Sequence, residues 1–146
     1  MGTFDVCRAS ADVGIDEAVS RKRFRVLVVD DEERIRQVIC ELLKDAGLEV
    51  IEAASGDEGW TLMQDNADID LLLTDVRMPG TMNGFDLVAA ALAHRPALRT
   101  IVMSGYAGES IGRPMQADLF LQKPFTLVSI LSKIEHLLFR SQPLPC

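Results

Sequence analysis

Short apolar runs alternate with helix-like stretches five times along this chain. Residues 26–29 (VLVV) are β-branched and too few for a helix, so they predict a first strand. Asp30-Asp31-Glu32-Glu33 follow. A segment then places Ile35, Val38, Ile39, Leu42, Leu43 and Ala46 on one helical face, with Gly47 as its stop. Residues 48–53 (LEVIEA) predict a second strand. Ser55-x-x-Glu58 matches a capping box and opens a helix carrying Trp60 and Met63. Leu71-Leu72-Leu73 reads as a strand buried on both faces, as in a parallel sheet; it stops at Asp75 before a Pro/Gly-rich loop. Gly84 begins a helix with Phe85, Val88, Ala89 and Leu92 inward, ending near His94-Arg95-Pro96. Residues 99–103 (RTIVM) predict strand four, followed by Ser104-Gly105. Gly108, Gly112 and Pro114 punctuate 106–117, so any helix there is short. Residues 118–122 predict strand five, then Lys123-Pro124. Thr126 caps a last helix with Leu127, Ile130, Leu131, Ile134, Leu137 and Leu138 on one face. This alternation predicts an α/β domain with a parallel sheet and right-handed crossovers. Residues 1–24 lack strong periodicity and are expected to form a tail or linker. That leaves a domain over 25–139 and a loose C-terminal tail over 140–146.

Composition narrows the class. The 146 residues fit one domain with one sizeable core, and 48% hydrophobic content excludes a disordered chain. No apolar run approaches the roughly 20 residues that span a bilayer. No charged region leads into an apolar one at the N-terminus, so no signal peptide and a cytoplasmic location are expected. Cys7, Cys40 and Cys146 form an odd set without CxxC spacing. They are expected to be free thiols in a reducing compartment, neither a disulfide frame nor a zinc site. Lys and Arg total 15 against 22 Asp and Glu, a net charge of −7 that disfavours direct nucleic-acid binding. The basic run RKRFR at 21–25 is expected to be solvated linker.

Polar residues close four of the five predicted strands: Asp30-Asp31, Asp75, Ser104 and Lys123. In a parallel sheet these ends point the same way, into one crevice. Taken singly, Asp75 reads better as a turn former or helix cap, while Ser104-Gly105 reads equally well as a plain turn and Lys123 as a surface lysine. The coincidence of all of them at strand ends is what carries the functional reading. Two carboxylates about 5 Å apart at an effective dielectric near 20 repel by roughly 3 kcal/mol, so three gathered together call for a cation. Oxygen-only ligands suit Mg²⁺, and the lack of His or Cys argues against zinc. Lys123 supplies a point charge and Ser104 a hydrogen-bond donor for phosphoryl oxygens. The chemistry that fits is phosphoryl transfer to Asp75, giving an aspartyl phosphate.

With those residues assembled, VLVVDDE at 26–32, LLLTDVRMPG at 71–80, Asn83-Gly84, Met103-Ser104-Gly105-Tyr106-Ala107 and Lys123-Pro124-Phe125 resemble the receiver domain of bacterial two-component response regulators. The resemblance covers roughly residues 25–139, in order. It implies a doubly wound, flavodoxin-like receiver fold with five parallel strands in the order 2-1-3-4-5. It implies Asp75 as phosphoacceptor, and Asp30, Asp31 and Asp75 as Mg²⁺ ligands with the backbone carbonyl of Arg77, Mn²⁺ being an alternative metal. Lys123 would contact the phosphoryl group, across a Lys123–Pro124 bond that is often cis in such domains. Ser104 would bond the phosphate and shift when it arrives, and Phe120 would turn inward as it does. Tyr106 lies at a separate position in the loop after strand four. The implied partners are a histidine kinase or histidine phosphotransfer protein and an output protein or domain, with homodimerisation left open. No enzyme turnover is implied beyond Mg²⁺-dependent self-phosphorylation and autodephosphorylation.

Three departures stand out. The loop from Asp75 to Gly84 is one residue longer than the commonest form, around Gly80-Thr81-Met82. The stretch from Ser104 to Lys123 is a little short, so the fourth helix, usually part of the output face, is expected to be stunted. No second domain is expected within these residues, and the tail after 139 is expected to be too short to bind DNA. Two other readings remain open. One is a Mg²⁺-dependent phosphohydrolase with an aspartyl nucleophile; such enzymes place a second Asp two residues on, where this chain has Arg77. The other is a degenerate receiver serving only as an interaction scaffold, which the presence of all five site residues disfavours. The chain fits a stand-alone regulator or a receiver cut from a hybrid histidine kinase.

Overall fold

The computed structural model describes residues 23–105 and 117–140. Five strands alternate with helices: β1 (Arg25–Val29), α1 (Glu33–Asp45), β2 (Glu49–Ala53), α2 (Gly56–Asp65), β3 (Leu71–Asp75), α3 (Gly84–His94), β4 (Arg99–Ser104), β5 (Leu119–Gln122) and α4 (Leu127–Arg140). All pairings are parallel, and the sheet order is β2-β1-β3-β4-β5, the 2-1-3-4-5 order implied by the resemblance. The predicted short helix within 106–117 lies almost wholly outside the described residues, as do both expected tails except Arg23, Phe24 and Arg140.

Side-chain alternation along the strands divides the core in two. Val26, Val28, Leu71, Leu73, Ile101 and Met103 face α1 and α4, where Ile39, Cys40, Leu43, Ile130, Ile134 and Leu138 complete one cluster. Leu27, Val29, Leu72 and Val102 face α2 and α3, meeting Met63, Leu87, Val88 and Ala91. Each large aliphatic buried this way contributes roughly 1.5–3 kcal/mol, so the double covering fixes the central strands. None of the described helices is long and apolar enough to cross a membrane.

The helix ends follow local chemistry. Gly47 adopts φ +91° and Leu48 N donates to Leu43 O at 3.0 Å, which ends α1. Ser55 caps α2 by accepting from Glu58 N at 3.1 Å, whereas Glu58 reaches past the expected box to Ala54 N at 2.8 Å. Asn83 and Asp86 form a full capping box on α3, and Thr126 accepts from Ser129 N at 3.0 Å to start α4.

Several expected faces are corrected. Val38 and Ala46 are exposed on α1 and Cys40 is buried; Ala89 is exposed on α3, where Leu87 and Ala91 point inward; and Leu127 is exposed at the first turn of α4. The basic run at 21–25 is only partly a linker. Arg25 begins β1, its guanidinium bonds Glu49 (2.7 Å) and Asp68 (2.8 Å), and Phe24 stacks edge-on against Phe139 at 5.4 Å.

Candidate functional site

The sheet's own hydrogen bonding runs on past the strands and fixes the predicted residues at their carboxyl ends. Asp30 N donates to Ala53 O (3.1 Å), Val76 N to Met103 O (3.1 Å) and Lys123 N to Ser104 O (2.6 Å). Asp30, Asp75, Ser104 and Lys123 are therefore held by backbone ladders rather than by free loops. The Lys123–Pro124 bond is cis. Gly84 closes the loop after β3: its N–H donates to Val76 O at 2.8 Å, and a Cβ there would collide with Asp75 O.

Asp30, Asp31 and Asp75 each offer a carboxylate oxygen within 4.8 Å of the others. Asp30 is fully buried and Asp75 is 8% exposed, whereas Asp31 faces solvent. Asp30 Oδ1 accepts from Glu32 N at 2.9 Å, while Asp30 Oδ2 is buried without a hydrogen-bond partner. Lys123 Nζ is 3.8 Å from that oxygen and 3.4 Å from Asp75 Oδ2. Asp75 Oδ1 accepts from Val76 N at 2.9 Å. Burial pushes the Asp75 carboxyl up to about 6, opposed by Lys123 and reinforced by the charge of Asp30. Burial likewise raises Asp30, opposed by the Glu32 N–H and by Lys123.

A buried carboxylate oxygen without a hydrogen bond, in an all-oxygen cluster with one ammonium for three acids, is the environment of a hard divalent cation, since burial of incompletely compensated charge is otherwise costly. The residues present fit divalent metal binding, with Asp30, Asp31 and Asp75 as the holders.

Ser104 is fully buried at the end of β4. Phe120 pairs in register with Val102 and packs, half-buried, on the α2/α3 side of the sheet. Arg77 is exposed, two residues beyond Asp75. Tyr106 lies outside the described residues. Beside Lys123 runs a cleft of about 550 Å³ lined by Ile35, Val38, Pro124, Phe125 and Leu127.

Two supports have no counterpart in the strand-end pattern. Arg36 on α1 donates to Asp30 O (2.6 Å) and to Glu52 (3.1 Å), tying the Asp30 backbone between α1 and β2. Asp57 on α2 accepts from Thr81 N (2.9 Å) in the loop after β3. An Arg at the fourth helical position and an Asp in a first helical turn are ordinary sequence features, so neither signals its partner.

The profile of the response regulator receiver domain family matches residues 26–135. The chain is 34% identical over 117 residues to the sensor kinase CckA of Brucella abortus, covering 77% of this chain but only 12% of that kinase. A CheY-like receiver domain protein from Methanospirillum hungatei superposes with TM-score 0.74 at 30% identity, covering 82% of this chain and 96% of that one. The response regulator TrrA of Thermotoga maritima, solved in complex with Mg²⁺ and BeF, gives TM-score 0.72 at 28% identity over 79% of this chain and 99% of its own. A family match over most of the chain, on a sheet of the same order with its acidic cluster at the strand ends, means that this chain belongs to the response regulator receiver domain family.

Proposed function

We infer that the chain is a phosphorylation-controlled signalling module that accepts a phosphoryl group on Asp75 from a histidine kinase or histidine phosphotransfer protein, and thereby changes its partner-binding surface. The observation that carries this reading is the Asp75 carboxylate, set between Lys123 at 3.4 Å and the carboxylates of Asp30 and Asp31. Asp30, Asp31, Asp75 and the Arg77 carbonyl would hold Mg²⁺, or Mn²⁺ in its place; the TrrA complex with Mg²⁺ supports magnesium. The cation, when bound, neutralises charge on the transferring group.

An Asp75 oxygen attacks phosphorus as the bond from phosphorus to the donor breaks, and the donor leaves with the bonding pair. Lys123 holds a phosphoryl oxygen by charge, and the Ser104 hydroxyl donates to another. Ser104 and Phe120 form the switch. Water attacking phosphorus breaks its bond to the Asp75 oxygen, releasing inorganic phosphate and restoring the carboxylate, which ends the signal; in this reading the chemistry is confined to the chain's own modification. The phosphohydrolase reading loses support because exposed Arg77 stands where the general acid would be. The apolar cleft between α1 and the start of α4, which ends at Lys123, suits the phosphodonor protein: Val38 and Leu127 are exposed there beside Lys123.

Acetyl phosphate with Mg²⁺ tests the chemistry without a kinase. Intact-protein mass spectrometry should show one added phosphoryl group, labile to hydroxylamine as an acyl phosphate is. Asp75→Asn, or EDTA, should abolish it. Labelling that persists in either case would overturn the site and the mechanism.

A further inference from the structure

The loop between Asp75 and Gly84 is held at two places. At its base Gly84 abuts the Asp75 backbone. At its tip the Asp57 carboxylate accepts from Thr81 N at 2.9 Å and from the Thr81 hydroxyl. Ser55 already caps α2, so Asp57 is released from that duty and reaches across 24 positions of sequence instead.

The surrounding backbone is shaped to this contact. Gly80 has φ +103°, and a Cβ on it would collide with Asp57 Oδ2. On the other side, a Cβ on Gly56 would collide with Met82 O. Two glycines on two elements thus let the loop close onto the first turn of α2. Charge-assisted bonds of this kind are the stronger class. The loop carries Arg77, and an anchor at its tip removes conformational freedom from the segment between its ends.

We propose that Asp57 is a positioning residue of the phosphoryl site: by clamping Thr81 it fixes the path of the loop that leaves Asp75 and carries the Arg77 carbonyl toward the divalent cation. The proposal rests on the reading of Asp75 as the phosphoacceptor.

Mg²⁺ titration calorimetry on the full chain tests it, paired with amide hydrogen exchange of residues 77–83 and melting in EDTA. Asp57→Asn and Thr81→Val should weaken Mg²⁺ binding roughly tenfold, the low end of what outer partners of metal ligands cost. Exchange over 77–83 should quicken while melting in EDTA changes little. Thr81→Ser, which keeps the hydroxyl, should restore the affinity. If Asp57→Asn fails to fold, Asp57→Ala, which removes every bond made by this side chain at an exposed contact, decides. Wild-type Mg²⁺ affinity in that Asp57 variant, with or without faster exchange, would reduce the clamp to a surface contact and overturn the proposal alone. Wild-type protein that binds no Mg²⁺ would instead overturn the functional reading, and this inference with it.

Discussion

Lys123 Nζ lies 3.4 Å from Asp75 Oδ2, and this pair belongs to a cluster with more negative charge than one ammonium can balance. The same ammonium is 3.8 Å from Asp30 Oδ2, which has no hydrogen-bond partner. Without a cation the folded state therefore holds Asp75 partly against its ionisation.

The consequence is a dependence of stability on pH. Asp75 has an ordinary value of 3.8 and stands at about 6 when folded. Between those values the folded state keeps a proton that the unfolded state has lost. Stability in EDTA should thus be highest at the acid end of that window and fall as pH rises through it, and raised Asp30 acts in the same direction. The displacement corresponds to roughly 2–3 kcal/mol. Asp75→Asn should be more stable than wild type by about 2 kcal/mol at pH 7, with the advantage vanishing toward pH 4. Urea unfolding in EDTA at the two pH values measures this. An advantage that is absent at pH 7, or equal at both, would contradict it.

Asp31 separates metal binding from folding. It is exposed, so Asp31→Asn should leave melting in EDTA nearly unchanged. Wild-type protein should gain about 1.4 kcal/mol when Mg²⁺ reaches ten times its dissociation constant, because only the folded state gathers the three carboxylates. The variant should lose most of that gain. Calorimetry is the suitable probe, since Trp60 lies on α2 and stacks edge-on against His94 on α3. Equal Mg²⁺ affinity in Asp31→Asn would remove it from the ligand set.

The meeting of Asp30, Asp31 and Asp75 was legible in sequence because these acids follow buried apolar runs, and a parallel sheet leaves one place for such ends to meet. Helix faces were legible only in part. Val38 and Leu127 fit the apolar spacing of their helices, yet both edge the cleft beside Lys123 rather than the core. Periodicity gives a direction, not the width of surface that the sheet covers. Cys40 was read for thiol chemistry, though a free cysteine packs as a small hydrophobe, and burial holds its thiol up at about 12. The Asp57–Thr81 clamp was illegible because its partners sit on two elements whose adjacency appears only after the chain has wound.

Gly84 tests how closely that winding is set. Its N–H reaches Val76 O, and any side chain would meet the carbonyl of Asp75 itself. Helix propensity alone would favour Gly84→Ala, though at the first position of α3 by less than the roughly 1 kcal/mol of a helix interior. The collision is with backbone, which cannot rotate away, so the substitution should instead destabilise by about 1–3 kcal/mol. It should also impair labelling of Asp75 by acetyl phosphate. A stabilised Gly84→Ala would show that the loop base has room to move.

The switch is the last expectation. Ser104 is fully buried at the end of β4, and Phe120 is half-buried on β5, in register with Val102 two residues before Ser104. A phosphoryl group on Asp75 adds charge and acceptor oxygens at the strand ends. A population shift needs contacts that differ between the two states. A hydrogen bond from the Ser104 hydroxyl to a charged acceptor is worth roughly 1.5–3 kcal/mol, enough to shift a two-state equilibrium by roughly ten- to hundredfold. Ser104 moving to make that bond vacates volume that Phe120 can fill, and its ring then loses exposure. Structures with and without a beryllofluoride mimic should show Phe120 in two rotamers. Ser104→Ala should still be labelled on Asp75 but should leave Phe120 largely in its resting rotamer. One rotamer in both wild-type states, or a Phe120 response undiminished in Ser104→Ala, would break the link between the phosphate and the ring.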